Sequence, residues 1–164
     1  MSQTENYAIL IVEDDIEVSG VLAEITSSLG YKPYNCFNGR QALDLIIEKK
    51  IEPVLVICDI NMPEMSGLEF VQYQLAKNLN LNICMLTADS SSEVILQALK
   101  LGVIDYICKP FSLPVLTDKI ATLAEIGKNK LKIKVLNDSN PEVNKMRQNE
   151  NMLSVINSSK KSDD

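Results

Sequence analysis

The sequence predicts an α/β fold: a doubly wound, five-stranded parallel sheet with helices on both faces, followed by a short C-terminal tail. Three observations carry this. Short apolar runs rich in Ile and Val recur along the chain, amphipathic stretches separate them, and the two kinds alternate strictly, giving five strand–helix units in about 120 residues. Apolar runs without polar alternation suit strands covered on both faces. Strict alternation argues for a parallel sheet with helices on both sides, and right-handed crossovers restrict it to a few doubly wound forms.

Taken in order, the first strand covers 7–12. A helix follows with Val18, Val21, Leu22, Ile25 and Leu29 at three- and four-residue spacing, stopped by Gly30. A weaker strand covers 31–36, and Asn38-Gly39 precedes a helical stripe of Ala42, Leu43, Ile46 and Ile47. The third strand, 54–58, leads to a stripe of Leu68, Val71 and Leu75. The fourth, 83–86, leads through the cap candidates Ser90-Ser91-Ser92 to Val94, Ile95, Ala98, Leu99 and Leu101, ended by Gly102. The fifth, 104–108, leads to Leu113, Leu116, Ile120 and Leu123.

Composition narrows the function. The chain has 164 residues, 46% hydrophobic and 23% charged, with a net charge of −6. That acidity argues against a general nucleic-acid binder, whose affinity comes from neutralising phosphates. Histidine is absent, which excludes Ser-His-Asp and Cys-His triads, histidine metal sites and phosphohistidine carriers. No apolar run approaches the roughly 20 residues of a membrane span. The first residues show no secretory pattern. Cys36, Cys58, Cys84 and Cys108 stand apart, with no Cys-x-x-Cys pair, and read as core thiols in a reducing cytosol.

In a doubly wound sheet the ligand lies beyond the carboxyl ends of the strands. There the sequence places Glu13-Asp14-Asp15, Asp59-Ile60-Asn61-Met62-Pro63, Thr87-Ala88 and Lys109-Pro110. Singly each has a plain structural reading: an acidic helix start, a turn, a cap, a surface lysine. Four at corresponding ends point to a site of three carboxylates, a hydroxyl and one ammonium. Two like charges 4 Å apart repel by about 4 kcal/mol at an effective dielectric near 20. Such a cluster calls for a cation, and oxygen ligands without His or Cys favour Mg²⁺ or Mn²⁺. A carboxylate beside that ion can act as a nucleophile toward phosphorus, with Lys109 and the Thr87 hydroxyl on the phosphoryl oxygens.

The motifs Ile11-Val12-Glu13-Asp14, Val56-Ile57-Cys58-Asp59-Ile60-Asn61-Met62-Pro63-Glu64-Met65-Ser66-Gly67, Met85-Leu86-Thr87-Ala88 and Asp105-Tyr106-Ile107-Cys108-Lys109-Pro110-Phe111 resemble, in order and spacing, a response-regulator receiver domain of two-component signalling, similar to the chemotaxis regulators. The resemblance covers about residues 6–126. It implies the flavodoxin-like sheet order 2-1-3-4-5. It implies Asp59 as phospho-acceptor, Asp14 as direct metal ligand, Glu13 as a ligand through water, and Asn61 as a ligand through its backbone carbonyl. Thr87 and Tyr106 match the switch pair, Lys109 the phosphate-binding lysine, and Lys109–Pro110 a cis peptide. Asn61 and Asp89 match the positions that tune dephosphorylation. Glu13 stands where many members have Asp.

The function so implied is a cytoplasmic switch, not an enzyme on a separate substrate. It catalyses its own phosphorylation by a histidine kinase or histidine phosphotransfer protein, and its own dephosphorylation. It signals to a downstream protein through the face of the fourth helix, fifth strand and fifth helix. An Asp-nucleophile phosphatase of the haloacid-dehalogenase kind would need an acid/base Asp where Asn61 stands. A flavodoxin-like FMN site would need a hydroxyl- and Gly-rich loop where the acidic run follows the first strand.

Composition changes at Gly127-Lys128: residues 1–127 carry 17 acidic and 8 basic side chains, net −9, and residues 128–164 carry 5 and 8, net +3. The expected division is a receiver domain at 6–127 and a polar tail or linker at 128–164. Within the tail, 130–136 alternates with period two and reads as an extended linker or a strand. Asn140-Pro141-Glu142 reads as the start of a short helix over 141–156. The tail is too short for a winged-helix output domain, its lysines are dispersed, and direct DNA binding is not expected.

Overall fold

A computed structural model describes residues 6–88 and 91–159. The elements are β1 (Ala8–Val12), α1 (Ile16–Ser28), β2 (Lys32–Cys36), α2 (Gly39–Ile47), β3 (Pro53–Asp59), α3 (Gly67–Ala76), β4 (Ile83–Thr87), α4 (Ser92–Lys100), β5 (Asp105–Cys108), α5 (Leu113–Asp138) and α6 (Pro141–Ser159). The five strands form one parallel sheet in the order β2-β1-β3-β4-β5, the order the resemblance implied.

Strand burial explains the sequence pattern. In β1, β3 and β4 nearly every residue is buried, from Ile9–Leu10–Ile11–Val12 through Val56–Ile57–Cys58 to Met85–Leu86. These strands are covered on both faces, so neither face tolerates polar residues. β2 lies at one edge of the sheet and buries only Cys36 among its five residues, which is why its run is weak. Cys36, Cys58 and Cys84 are buried free thiols. Burial first, then nearby Asp44 for Cys36 and Asp105 for Cys84, pushes those two up to about 12, so they pack as inert apolar groups.

The helices bury faces that differ from the apolar stripes. α1 buries Ser19, Leu22 and Thr26 and leaves Val21 exposed. Asn35 of β2 donates its amide to the Ser19 hydroxyl at 2.6 Å, so a polar residue serves that face. α3 buries Phe70, Val71 and Gln74 while Leu75 faces solvent. Gln74 is satisfied there by accepting from the Leu81 backbone N–H at 3.3 Å. α5 buries Leu116, Ile120, Leu123, Ala124 and Gly127, and Leu113 lies outside.

Gly127 sits so close to β3 that a Cβ would run into the Val54 carbonyl oxygen. Backbone cannot yield as a flexible side chain does. Gly127→Ala is expected to lower stability by about 1–3 kcal/mol, the usual cost of overpacking, read as a lower urea midpoint. An unchanged midpoint would show that α5 shifts freely on the sheet.

The chain divides into two compact units between Lys128 and Asn129. The segment 130–136, expected to be extended or a strand, is instead helical, part of α5. The physical reason is cooperativity: a helix already nucleated elongates at one bond per residue, and Lys and Leu are strong helix formers. In the second unit Asn140 caps α6 by accepting from Glu142 N–H at 3.0 Å, and Arg147 pairs with Asp138 at 2.6 Å.

Candidate functional site

Register decides what meets at the carboxyl ends of the strands. Val12 pairs with Cys58, so Glu13 and Asp59, each one residue further on, emerge side by side. Asp59 pairs with Leu86 and Thr87 with Cys108, which sets Thr87 and Lys109 on the other flank. β2 contributes backbone only: the Cys36 carbonyl accepts from Glu13 N–H at 2.9 Å.

Lys109 bridges the two carboxylates. Its Nζ lies 2.7 Å from Glu13 Oε2 and 2.9 Å from Asp59 Oδ2. Asp14 completes the group: one oxygen from each of Glu13, Asp14 and Asp59 lies within 4.8 Å of the others. Glu13 is fully buried, Asp59 nearly so, and Asp14 is exposed. Asp59 Oδ1 accepts weakly from Asn61 N–H at 3.4 Å. Thr87 is buried at the end of β4, and its carbonyl accepts from Lys109 N–H at 2.7 Å. The Lys109–Pro110 peptide is cis.

Tyr106 is not in this cluster. It pairs with Met85 inside the sheet edge and is half-buried, with Lys119 5.9 Å from its ring centroid. Lys119 also donates to the Tyr106 carbonyl and pairs with Asp105 at 3.0 Å. Asp89 lies outside the described residues.

Three supporting residues escaped the sequence reading. Asp15 caps α1, accepting from Glu17 and Val18 N–H, and its own N–H donates to Glu13 Oε1 at 3.1 Å. The signal was present, an Asp directly before an apolar-periodic run. Gly67 starts α3 where a Cβ would strike the Asp59 carbonyl oxygen, so the helix abuts the acceptor's own peptide. Asn38, read only as part of a helix-start signal, is buried and donates to Glu64 at 3.2 Å.

Electrostatics follow from this packing. Burial pushes the Glu13 carboxyl up; the Lys109 bond pulls it down, and the Asp59 charge adds to the rise. Burial works against the Lys109 ammonium, but its hydrogen bonds to Glu13 and Asp59 and the charges of both carboxylates outweigh it and hold its pKa above the ordinary value. Two of the three carboxylates pair with the one ammonium, leaving an excess of negative charge open to solvent on the Asp14 side. The donor set of Glu13, Asp14 and Asp59 is all oxygen, the chemistry that suits a hard divalent ion.

Residues 9–121 match the family described as the response regulator receiver domain. The chain is 38% identical over 106 residues to the transcriptional regulatory protein ZraR of Klebsiella oxytoca, covering 65% of this chain and 24% of that one. It therefore spans about a quarter of that regulator's length. It is 28% identical over 124 residues to sporulation initiation phosphotransferase F of Bacillus subtilis (strain 168), covering 76% of this chain and 98% of the relative. Among solved structures it resembles the CheY-like response regulator receiver domain protein of Methanospirillum hungatei JF-1, with TM-score 0.67 and 25% identity over 76% of this chain and 98% of that one. It also resembles the chemotaxis protein CheY4 of Vibrio cholerae, with TM-score 0.65 and 27% identity over 71% and 98%.

Proposed function

This chain belongs to the response-regulator receiver family of two-component signalling, and from that premise we propose that it accepts a phosphoryl group on Asp59 from a phosphohistidine donor, in a reaction that requires Mg²⁺. The observation that carries this reading is Lys109 held between Asp59 and Glu13 at the strand ends, with Asp14 beside them. An Asp59 oxygen attacks phosphorus, the phosphorus–nitrogen bond of the donor breaks, and its electron pair leaves on the imidazole. Asp14, Asp59 and the Asn61 backbone carbonyl, with Glu13 through water, would hold Mg²⁺ or Mn²⁺, which would supply positive charge to the phosphoryl oxygens. Lys109 transfers its hydrogen bond from the carboxylate to a phosphoryl oxygen. Water attack on phosphorus later returns the carboxylate and inorganic phosphate, and Asn61 and Asp89 set the rate of that step. The protein is thus a self-modifying switch rather than an enzyme on a separate substrate. Incubation with acetyl phosphate and Mg²⁺ tests this: one hydroxylamine-labile phosphoryl per chain is expected. Many turnovers at enzyme-like rates would instead favour a phosphatase, which the amide of Asn61 already disfavours.

The Thr87 hydroxyl is the group that follows the phosphoryl inward and couples it to Tyr106. Thr87→Ala is expected to take up phosphate to within about threefold of the parent, yet lose most of the conformational response, a population shift of a few kcal/mol. Amide NMR shifts on adding beryllofluoride should reach α4, β5 and α5 in the parent and stay near Asp59 in the variant. Equal spread in both would remove the role given to Thr87.

The donor is a histidine kinase or histidine phosphotransfer protein, and output passes to a downstream protein over α4, β5 and α5, not directly to DNA. A groove of about 440 Å³ along β5 and α5, lined by Tyr106, Cys108, Phe111, Val115 and Lys119 among others, supports a protein contact on that part of the face. No helix among the described residues is long and apolar enough to cross a membrane. The cytoplasm, where these kinases present their phosphohistidines, is the proposed location.

A further inference from the structure

We propose that Asn38, on the loop between β2 and α2, is a positioning residue that sets the metal-binding geometry of the acceptor loop through the side chain of Glu64. The proposal rests on the reading above, in which Asp59 and the Asn61 carbonyl hold a divalent cation.

The acceptor loop needs an external hold. Between Asp59 and α3 the chain makes a tight three-residue turn: Met65 N–H donates to the Pro63 carbonyl at 2.7 Å across Glu64, whose φ is +63°. A non-glycine residue there is in the left-handed region, a conformation that persists only where the surroundings impose it. Glu64 itself is exposed, so packing does not impose it. What reaches it is Asn38, which is only 5% exposed. Its Nδ2 donates to Glu64 Oε2 at 3.2 Å, while its Oδ1 accepts from Gln41 N–H at 2.9 Å and caps α2. Both ends of the buried amide are thereby used, and the two partners fix which end points where.

The next residue strengthens the same hold. Gly39 N–H donates to the Met65 carbonyl at 3.2 Å, and a Cβ on Gly39 would stand 2.8 Å from Met65 Cγ. The two loops are therefore seated against each other. From Glu64 back to Asn61 the chain has little slack, because Pro63 fixes one φ and Met62 packs on the core. Holding Glu64 thus limits where the Asn61 carbonyl stands relative to Asp59.

Substitutions separate this role from capping. Asn38→Asp keeps a side-chain acceptor for Gln41 N–H, since Asp caps as well as Asn, but it loses the donor and faces Glu64 with a like charge. Glu64→Asp keeps the charge and tolerates the left-handed φ, but its shorter side chain cannot reach Asn38. Each is expected to weaken Mg²⁺ binding by about tenfold, the scale of one hydrogen bond to a charged group. For Asn38→Asp the added negative charge alone would strengthen cation binding, so weakening cannot come from the field. The double variant Asn38→Asp/Glu64→Gln restores a donor–acceptor pair with the parent's net charge, and should recover affinity to within about twofold.

The experiment is calorimetric titration of the full chain with Mg²⁺, with urea unfolding of each variant alongside. Reduced affinity in both single variants, each still folded under the titration conditions, with recovery in the double variant, is the expected result. Parent-like affinity in Glu64→Asp, or a double variant as weak as Asn38→Asp, would overturn the proposal. Should Asn38→Asp fold poorly, Glu64→Asp alone decides, because its site is exposed. A parent chain that binds no Mg²⁺ would instead defeat the functional reading on which this inference stands.

Discussion

Asp59→Asn will take up no phosphoryl group from acetyl phosphate and Mg²⁺ under conditions that modify the parent completely, a loss of more than about a hundredfold in rate. The amide that replaces the carboxylate has no nucleophilic oxygen pair of comparable basicity, and the neighbouring carboxylates cannot stand in. Glu13 is fully buried and tied to Lys109 and to the Asp15 backbone. Asp14 is exposed, away from the ammonium that must receive the phosphoryl oxygens. The variant should still fold. It removes one of three clustered like charges, and Lys109 keeps Glu13 as its partner. Its urea midpoint without metal is therefore expected to be at least that of the parent, and Mg²⁺ should raise it less. Intact-mass measurement of parent and variant decides the matter; a full phosphoryl adduct on Asp59→Asn would falsify the assignment.

How much of this was legible in the sequence follows from which side chains are constrained from all sides. β1, β3 and β4 are covered on both faces, so their residues are apolar without exception until the site begins, and their ends mark the site. Glu13, Asp59, Thr87 and Lys109 could be read together because parallel strands place their carboxyl ends on one side. Helix faces were harder. Leu75 fits the apolar period but lies outside, while Gln74 lies inside because the Leu81 N–H needs an acceptor there. That partner is seven residues away in sequence and invisible to a period.

The long-range terms of the site were equally hidden. Spacing does not reveal that one ammonium touches both Glu13 and Asp59, or that Asn38 reaches Glu64. Nor does it show the continuation of α5 through 130–136, where alternation with period two suggested an extended chain. Local pattern competes there with elongation of a helix nucleated elsewhere, and elongation prevails.

Lys109→Met should show the largest effect on stability. It keeps most of the apolar stem of the side chain but removes the charge that compensates Glu13 and Asp59. Glu13 is wholly buried and the Asp59 side chain 10% exposed, whereas Lys109 is 22% exposed, so the pair is partly screened. The expected loss at neutral pH is about 2–4 kcal/mol, toward the lower part of the range for breaking a buried pair. The pH dependence has a definite sign. Burial already raises the Glu13 carboxyl, and the Lys109 bond is the strongest influence lowering it. Without that bond the folded-state value rises further above the unfolded value near 4.5. The folded variant then binds more protons than the unfolded chain, so its stability increases as pH falls toward that value. Urea midpoints of parent and variant should draw together as pH is lowered from neutral to near that unfolded value. In the parent, the Lys109 contribution is present throughout this range, because its raised value lies above 10.5 and is lost only as pH rises through it. Mg²⁺ provides the second arm. In the variant a bound Mg²⁺ would face three carboxylates with no ammonium beside them, so saturating Mg²⁺ should stabilise Lys109→Met more than the parent. Phosphorylation should nonetheless remain slow, because no cation follows the phosphoryl oxygens where the Lys109 ammonium stands beside Asp59. A deficit that is the same at both pH values and unmoved by Mg²⁺ would mean that the lysine contributes packing rather than charge.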